Sequence, residues 1–224
     1  MLFERLELLL GKDTVNNLKS KTVLIIGLGG VGGYVVEALT RSGIGNFILV
    51  DYDKVDITNF NRQIIATIDN LSKNKVDCFY ERIKKINKEC NVRTYNLKLN
   101  DNNINDIFKE KIDFVVDAID DVNAKISIIN YCLNHNMSFI SSMGTGNRLD
   151  PSKLTITTLD KTYNDPLAKV IRKKITNKKI MSKILVCTSL ELPLKTNSKT
   201  IGSNAFVPSS AGLLIASYII KRLT

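Results

Sequence analysis

Thr22-Val23-Leu24-Ile25-Ile26-Gly27-Leu28-Gly29-Gly30-Val31-Gly32-Gly33 is the stretch whose reading decides the fold. A continuous, β-branched apolar run closed by glycine reads as a strand buried on both faces, as in a parallel sheet. Gly27, Gly29 and Gly32 then form G-x-G-x-x-G, with Gly30 between them. Residues 33–42 follow as a helix, with Val35, Val36 and Leu39 apolar and Gly43 and Gly45 ending it. Glycine there permits a tight turn, lets backbone N–H groups approach a phosphate and lets the helix lie close on the strand. The motif alone is weak; the strand before it and the helix after it make a nucleotide site the expectation.

Outward from this unit, strands and helices alternate. Strands are expected at residues 47–50, 92–99, 112–117 and 139–142, and helices at 70–88 and 124–134. This alternation is the signature of a doubly wound α/β fold with a mostly parallel sheet. Beyond Asp150 the pattern weakens to a strand at 154–159, a helix at 166–175, a strand at 183–190 and a last helix at 209–223. The expected organisation is one domain over 1–224. It comprises an N-terminal helical segment (1–20), a nucleotide-binding core (21–150), an inserted substrate-binding segment (151–200) and a closing strand/helix segment (201–224).

Composition narrows the chemistry. The 224 residues include four cysteines, Cys78, Cys90, Cys132 and Cys187, and one histidine, His135. No two cysteines stand as Cys-x-x-Cys, which argues against a zinc ribbon and a thioredoxin-like redox motif. No apolar run approaches the ~20 residues of a membrane helix. The amino terminus lacks a signal-peptide layout, so a cytoplasmic location is expected. A net charge of +10 biases the chain toward an anionic partner such as nucleic acid.

Asp51, 19 residues after Gly32, closes the second strand, where an acid commonly accepts ribose hydroxyls. That position suits NAD and ATP equally. The following segment, Asp51-Tyr52-Asp53-Lys54-Val55-Asp56-Ile57-Thr58-Asn59-Phe60-Asn61-Arg62-Gln63, favours a triphosphate. Arg62 can donate a bidentate fork to phosphate oxygens, Asn59 can donate an amide N–H, and Lys75 adds a point charge. The fourth strand leaves through Asp117-Ala118-Ile119-Asp120. Carboxyl ends of strands converge on the ligand crevice, so Asp120 is placed to hold Mg2+ shared with phosphate oxygens.

As an ordered set over residues 20–150, these motifs resemble the ubiquitin-activating-enzyme-like adenylyltransferases. The resemblance implies that Asp51 holds ribose and that Asn59, Arg62 and Lys75 hold the triphosphate of ATP. Asp120 then binds Mg2+, with Asp53 and Gln63 in the same cofactor-binding set. Arg5 matches an amino-terminal arginine that in related enzymes reaches the partner subunit's ATP site, with an ordinary surface arginine the equal alternative; a homodimer is what the family implies. Residues 142–151 (Ser-Met-Gly-Thr-Gly-Asn-Arg-Leu-Asp-Pro) and 161–168 (Lys-Thr-Tyr-Asn-Asp-Pro-Leu-Ala) are similar to the tRNA threonylcarbamoyladenosine dehydratase branch. That branch implies adenylation of the threonyl carboxylate of the modified anticodon-loop adenosine, followed by ring closure and net loss of water. It implies no zinc, and leaves open a monovalent cation and a cysteine-desulfurase/sulfur-acceptor system as partner.

Residues 161–183 carry eight Lys or Arg against one acid. Lys161, Asp165, Lys169, Arg172 and Lys173 are the candidate tRNA contacts, with Lys169, Arg172 and Lys173 spaced for one helical face. A solvated basic helix explains the same residues equally well. Three other functions compete: an adenylyltransferase for a small sulfur-carrier protein, an NAD-dependent oxidoreductase and a non-catalytic nucleotide-binding partner. The basic segment and absent zinc cysteines disfavour the first. Arg62, Lys75 and Asp120 disfavour the second, and the intact adenylation set the third.

Overall fold

β1 (Thr22–Ile26) turns Val23 and Ile25 into one apolar layer and Leu24 and Ile26 into another, and all four are buried. A strand covered on both faces has no polar side to spare, which is why its sequence is unbroken apolar. The computed structural model describes residues 2–224. In chain order the elements are α1 (Glu4–Leu10), α2 (Lys12–Leu18), β1, α3 (Gly32–Arg41), β2 (Asn46–Val50), α4 (Lys75–Ile86), β3 (Asn91–Tyr95), α5 (Ile104–Ile107), β4 (Phe114–Asp117), α6 (Val122–Asn134), β5 (Phe139–Ser142), β6 (Leu154–Thr158), α7 (Pro166–Lys174), α8 (Lys178–Met181), β7 (Leu185–Ser189) and α9 (Phe206–Leu223).

The described residues form a seven-stranded sheet ordered β3-β2-β1-β4-β5-β7-β6, parallel except for the antiparallel edge strand β6. The α/β class expected from the sequence is the one observed. From β1 the chain builds outward through β2 and β3, then returns to lay β4 on the other side of β1 with Ile26 opposite Asp117. The β1/β4 boundary is therefore the switch point, and the crevice beyond its carboxyl ends is where such sheets bind ligands.

Residues 151–200, read from the sequence as an insertion between sheet elements, contribute β6 and β7 to the sheet itself. The expected helix over 70–88 begins later, at Lys75. Ser72 has φ 67°, a left-handed conformation that interrupts helix, and residues 68–70 form a separate 3₁₀ turn. α9 starts three residues before the expected Ser209. Asn204 Oδ1 accepts the N–H groups of Phe206 (2.8 Å) and Val207 (3.1 Å), and Pro208 is tolerated in the first turn. The one-turn helices α5 and α8 carry too few periods to be read from sequence. No helix among the described residues is long and apolar enough to cross a membrane.

The turn after β1 depends on two glycines. Gly27 has φ +89°, and a Cβ on it would lie 2.7 Å from the Ala118 carbonyl oxygen beyond β4. A Cβ on Gly32 would lie 1.8 Å from the Gly27 carbonyl oxygen, a backbone atom with nowhere to go. Gly32→Ala is therefore expected to destabilise the protein by roughly 3 kcal/mol through forced overpacking. A denaturant midpoint equal to wild type would contradict this geometry.

Candidate functional site

The crevice at the switch point is built from three strand ends. From β1 comes the glycine turn, leading into α3, whose N-terminus carries no side-chain cap. An uncapped helix start offers free N–H groups and the positive end of the helix dipole to an anion. Gly29 faces open space: the nearest heavy atom to its Cβ position is Gln63 Nε2, at 3.8 Å. Beside Gly30 lie Cγ and Cδ of Arg62, 3.5 and 3.6 Å from its Cβ position.

From β2 comes Asp51. Its Oδ2 accepts the Leu28 N–H at 2.6 Å and its Oδ1 the Asp53 N–H at 2.8 Å, so the acid helps to build the turn. Burial raises its pKa above the ordinary carboxylate value, opposed by the Lys75 charge and these two N–H bonds. Each oxygen keeps a further lone pair for a ligand hydroxyl. Asp53 Oδ2 holds Lys75 Nζ at 2.8 Å, and the Lys75 side chain is buried at the first turn of α4. Asn59 is also buried; its Oδ1 accepts the Asp56 N–H in a capping box, leaving the amide N–H end only a long 3.5 Å contact with Thr58 Oγ1. Half-buried Arg62 donates from Nη1 to Thr58 O (2.7 Å) and Asn61 Oδ1 (2.9 Å), both neutral acceptors.

From β4 comes the Asp117–Asp120 exit. Ala118 N–H bonds Ile26 O at 2.8 Å and its carbonyl lies against Gly27, so this loop and the glycine turn are in contact. Asp120 is exposed, and Asp121 beside it caps α6 through the Asn123 and Ala124 N–H groups, both at 3.0 Å. The fold thus brings Gly27, Gly29, Gly30, Gly32, Asp51, Asp53, Asn59, Arg62, Gln63, Lys75 and Asp120 to one edge of the sheet.

Two observations test whether a nucleotide fits. The space over Gly29 would be filled by any side chain there, and the Gln63 Oε1 beside it is buried with no hydrogen-bond partner among the described residues. Oε1 is an acceptor, so the partner it lacks is a donor such as a nucleotide's hydroxyl or amine; the Nε2 end, 3.8 Å from the Gly29 Cβ position, is the one that can donate to a phosphate oxygen over Gly29. For a divalent cation, the exposed Asp120 carboxylate is a hard oxygen donor of the kind Mg2+ takes alongside phosphate.

Other expected residues lie elsewhere. Arg5 is exposed on α1 and lines a shallow surface depression with Arg41, at the carboxyl end of α3. The glycine turn is at the other end of that ten-residue helix, about 15 Å away. Arg5 therefore sits far from its own chain's turn. Asp165, expected as a tRNA contact, is buried. It caps α7 through the Ala168 N–H (3.0 Å), accepts the Gly144 N–H (3.1 Å) and the Thr188 hydroxyl (2.9 Å), and lies 3.6 Å from the buried Arg148 guanidinium. An N-cap with four neighbours has no face for RNA. Arg172 leaves the expected basic face because its Nη1 donates to both Thr162 O (2.7 Å) and Thr162 Oγ1. Lys161, Lys169 and Lys173 are exposed. Arg148 was missed by sequence reasoning: it donates to Gly144 O and Asn164 O from full burial and holds the loop after β5.

All four cysteines are buried and free. Burial pushes the Cys132 and Cys187 thiols up to about 12, and nearby acids add to it: Asp117 for Cys132, Asp165 for Cys187. At pH 8 the thiolate fraction of either is on the order of 10⁻⁴, so neither serves as a nucleophile. Iodoacetamide at pH 8 should leave both unmodified until the protein unfolds. Prompt labelling of either in the native state, read by peptide mass, would contradict their enclosure.

The chain is also similar to known proteins over most of its length. Over 238 aligned residues the chain is 38% identical to the tRNA threonylcarbamoyladenosine dehydratase of Bacillus subtilis (strain 168), covering 99% of this chain and 94% of that protein. A crystal structure of the E. coli tRNA N6-threonylcarbamoyladenosine dehydratase in complex with ATP superposes with a TM-score of 0.94 at 31% identity, covering 99% of this chain and 93% of that one. The molybdopterin-synthase adenylyltransferase of Haemophilus influenzae is 29% identical over 73% of this chain and 66% of its own length. The model of the ThiF family matches residues 3–224, and the chain belongs to that family.

Proposed function

We propose that this protein is an ATP-dependent tRNA threonylcarbamoyladenosine dehydratase. The observation that carries the reading is the meeting, at one sheet edge, of an open glycine turn, the Asp51 acid, the Asp53-held Lys75 and the free Asp120 carboxylate. The likeness to dehydratases over nearly the full chain supports the choice of substrate.

On this reading Asp51 accepts the ribose hydroxyls. The start of α3 and the side chains of Asn59, Arg62, Gln63 and Lys75 receive the phosphates. The threonyl carboxylate of the modified adenosine attacks the α-phosphorus, and pyrophosphate leaves with the P–O bonding pair. A nitrogen of the same modification then attacks the activated acyl carbon, AMP departs, and the nitrogen gives up its proton. Water is thereby lost across the two steps, with hydroxide replaced by AMP as a far better leaving group. Mg2+ held by Asp120 with the phosphates would neutralise charge on the departing pyrophosphate. Lys75 and Arg62 add fixed positive charge there, and the second step gains the effective molarity of a held intramolecular geometry. In a homodimer, the partner subunit's Arg5 would complete the site, since Arg5 is too far from its own chain's turn.

The basic segment supplies a path for the tRNA. Lys174 Nζ donates to Asn123 Oδ1 at 2.9 Å, so the end of α7 is tied to the first turn of α6, the helix that follows Asp120. Exposed Lys161, Lys169 and Lys173 continue the positive face from there.

Incubation with ATP, Mg2+ and tRNA bearing threonylcarbamoyladenosine should yield a nucleoside lighter by one water on mass analysis. AMP formation only on addition of a small carrier protein, with no nucleoside change, would overturn the reading. Asp120→Ala and Arg62→Ala should each lower kcat about 100-fold or more with unchanged unfolding midpoints. Gly29→Ala should stay within about 0.5 kcal/mol of wild-type stability, because nothing crowds its Cβ, yet weaken ATP binding at least about tenfold. Affinity for tRNA should fall steeply with salt, and the double variant Lys169→Ala/Lys173→Ala should flatten the log–log slope by about 1 to 2. A dependence already flat in the wild type would remove RNA phosphate from the account of this face.

A further inference from the structure

Lys125 lies on the buried face of α6 with Ile128, Ile129 and Cys132, and its side chain is fully enclosed. Its three N–H donors all find acceptors: Asp117 Oδ2 at 2.8 Å, Ser141 Oγ at 3.1 Å and Ser142 O at 2.9 Å. The Ser141 hydroxyl in turn donates to Asp117 Oδ2 at 2.6 Å, and the other Asp117 oxygen accepts the Ile119 N–H at 3.3 Å. One ammonium therefore ties the carboxyl end of β4 to that of β5.

These bonds flank the residue assigned to the metal. Asp120 follows Ile119, whose N–H is held by Asp117. It precedes Asp121, which caps α6 and receives Lys98 Nζ at 3.3 Å. Asp120 is thus fixed from both sides while its own carboxylate stays free. On the β5 side, the chain continues into the Gly144 loop, gripped by Asp165 and Arg148. A buried ion pair is weak grounds for stability, because apolar groups of similar volume are often as good or better in its place. Its location at the reacting edge then needs another reason, and geometry supplies one: a misplacement of 1 Å can cost on the order of 100-fold in rate.

We propose that Lys125 is a positioning residue for the reaction, fixing Asp120 relative to the end of β5 through Asp117, Ser141 and the Ser142 carbonyl. This rests on the assignment of Asp120 to the nucleotide's metal. It applies to the Mg2+-dependent chemical step, and less to nucleotide affinity, since the hydrogen bonds of Lys125 go to Asp117, Ser141 and Ser142 and to none of the residues assigned to ribose or phosphate.

The test replaces the ion pair with apolar groups in the double variant Asp117→Leu/Lys125→Met. Its unfolding midpoint is expected modestly below that of wild type with a single cooperative transition, because Ser141 Oγ and the Ser142 carbonyl each lose a buried partner while no charge is left unpaired. KM for ATP should stay within about twofold, kcat should fall about tenfold or more, and the Mg2+ concentration giving half-maximal rate should rise about fivefold. Wild-type kcat and Mg2+ requirement in this variant would overturn the proposal. If the double variant does not fold, Ser141→Ala removes one acceptor without stranding a charge. It should lower kcat about threefold at unchanged KM, and a fully wild-type profile would again overturn the role. A wild-type protein inactive on the modified tRNA would sink the reading of the site and Lys125's role with it. An active wild type beside a fully active double variant would sink the role of Lys125 alone.

Discussion

Gly32 leaves no room for a side chain against the Gly27 carbonyl, and the rest of the site follows from that contact. It brings the start of α3 close to the end of β1, so the helix N-terminus opens over the switch point with no side-chain cap. Gly27, in a left-handed conformation, in turn admits the Ala118 carbonyl. The exit from β4 therefore touches the glycine turn, and Asp120 is carried to the same crevice. Asp51 closes the arrangement from β2 by accepting the Leu28 N–H, so an acid suited to ribose is also part of the turn. Its burial raises its pKa; the two N–H bonds and Lys75 oppose that and favour the carboxylate.

Cations at this edge are held in two ways. Lys75 lies on Asp53, Lys125 on Asp117 and Arg148 near Asp165, so each buried positive charge has a carboxylate beside it. A charge so held needs little reorganisation when a substrate arrives, which is what electrostatic preorganisation requires. Arg62 differs. It rests on a carbonyl and an amide oxygen, neutral acceptors that an incoming phosphate would outbid through charge-assisted bonds. Lys75 is thus a fixed part of the floor of the site, and Arg62 the cation with freedom to re-aim.

Much of this was legible in the chain itself. The strand–turn–helix unit around Gly27 to Gly33, the acid at Asp51 and the strand-end Asp120 all express local rules: an apolar run buried on both faces, a turn only glycine can make, strand ends that meet at a crevice. Lys125 was not singled out in the sequence, although the signal was there: it shares the i, i+3, i+4, i+7 stripe of Ile128, Ile129 and Cys132, where a charge is out of place unless paired. The structure departs from the reading at Asp165, because composition counts charges without saying which way they turn. Asp165 is drawn inside by three backbone or hydroxyl donors from different elements, while Arg172 stays half-buried with its Nη1 turned onto Thr162.

By itself the sequence determined the doubly wound class, the strand–glycine turn–helix unit and the strand ends that flank it, because short-range patterns of burial and backbone freedom encode these. The tertiary structure decided which charges face one another. It made β6 and β7 part of the main sheet, placed Arg5 at the far end of α3 and joined Lys125 to Asp117 and Ser141. Such pairings join residues distant along the chain, and they exist only once the strands have taken their order in the sheet.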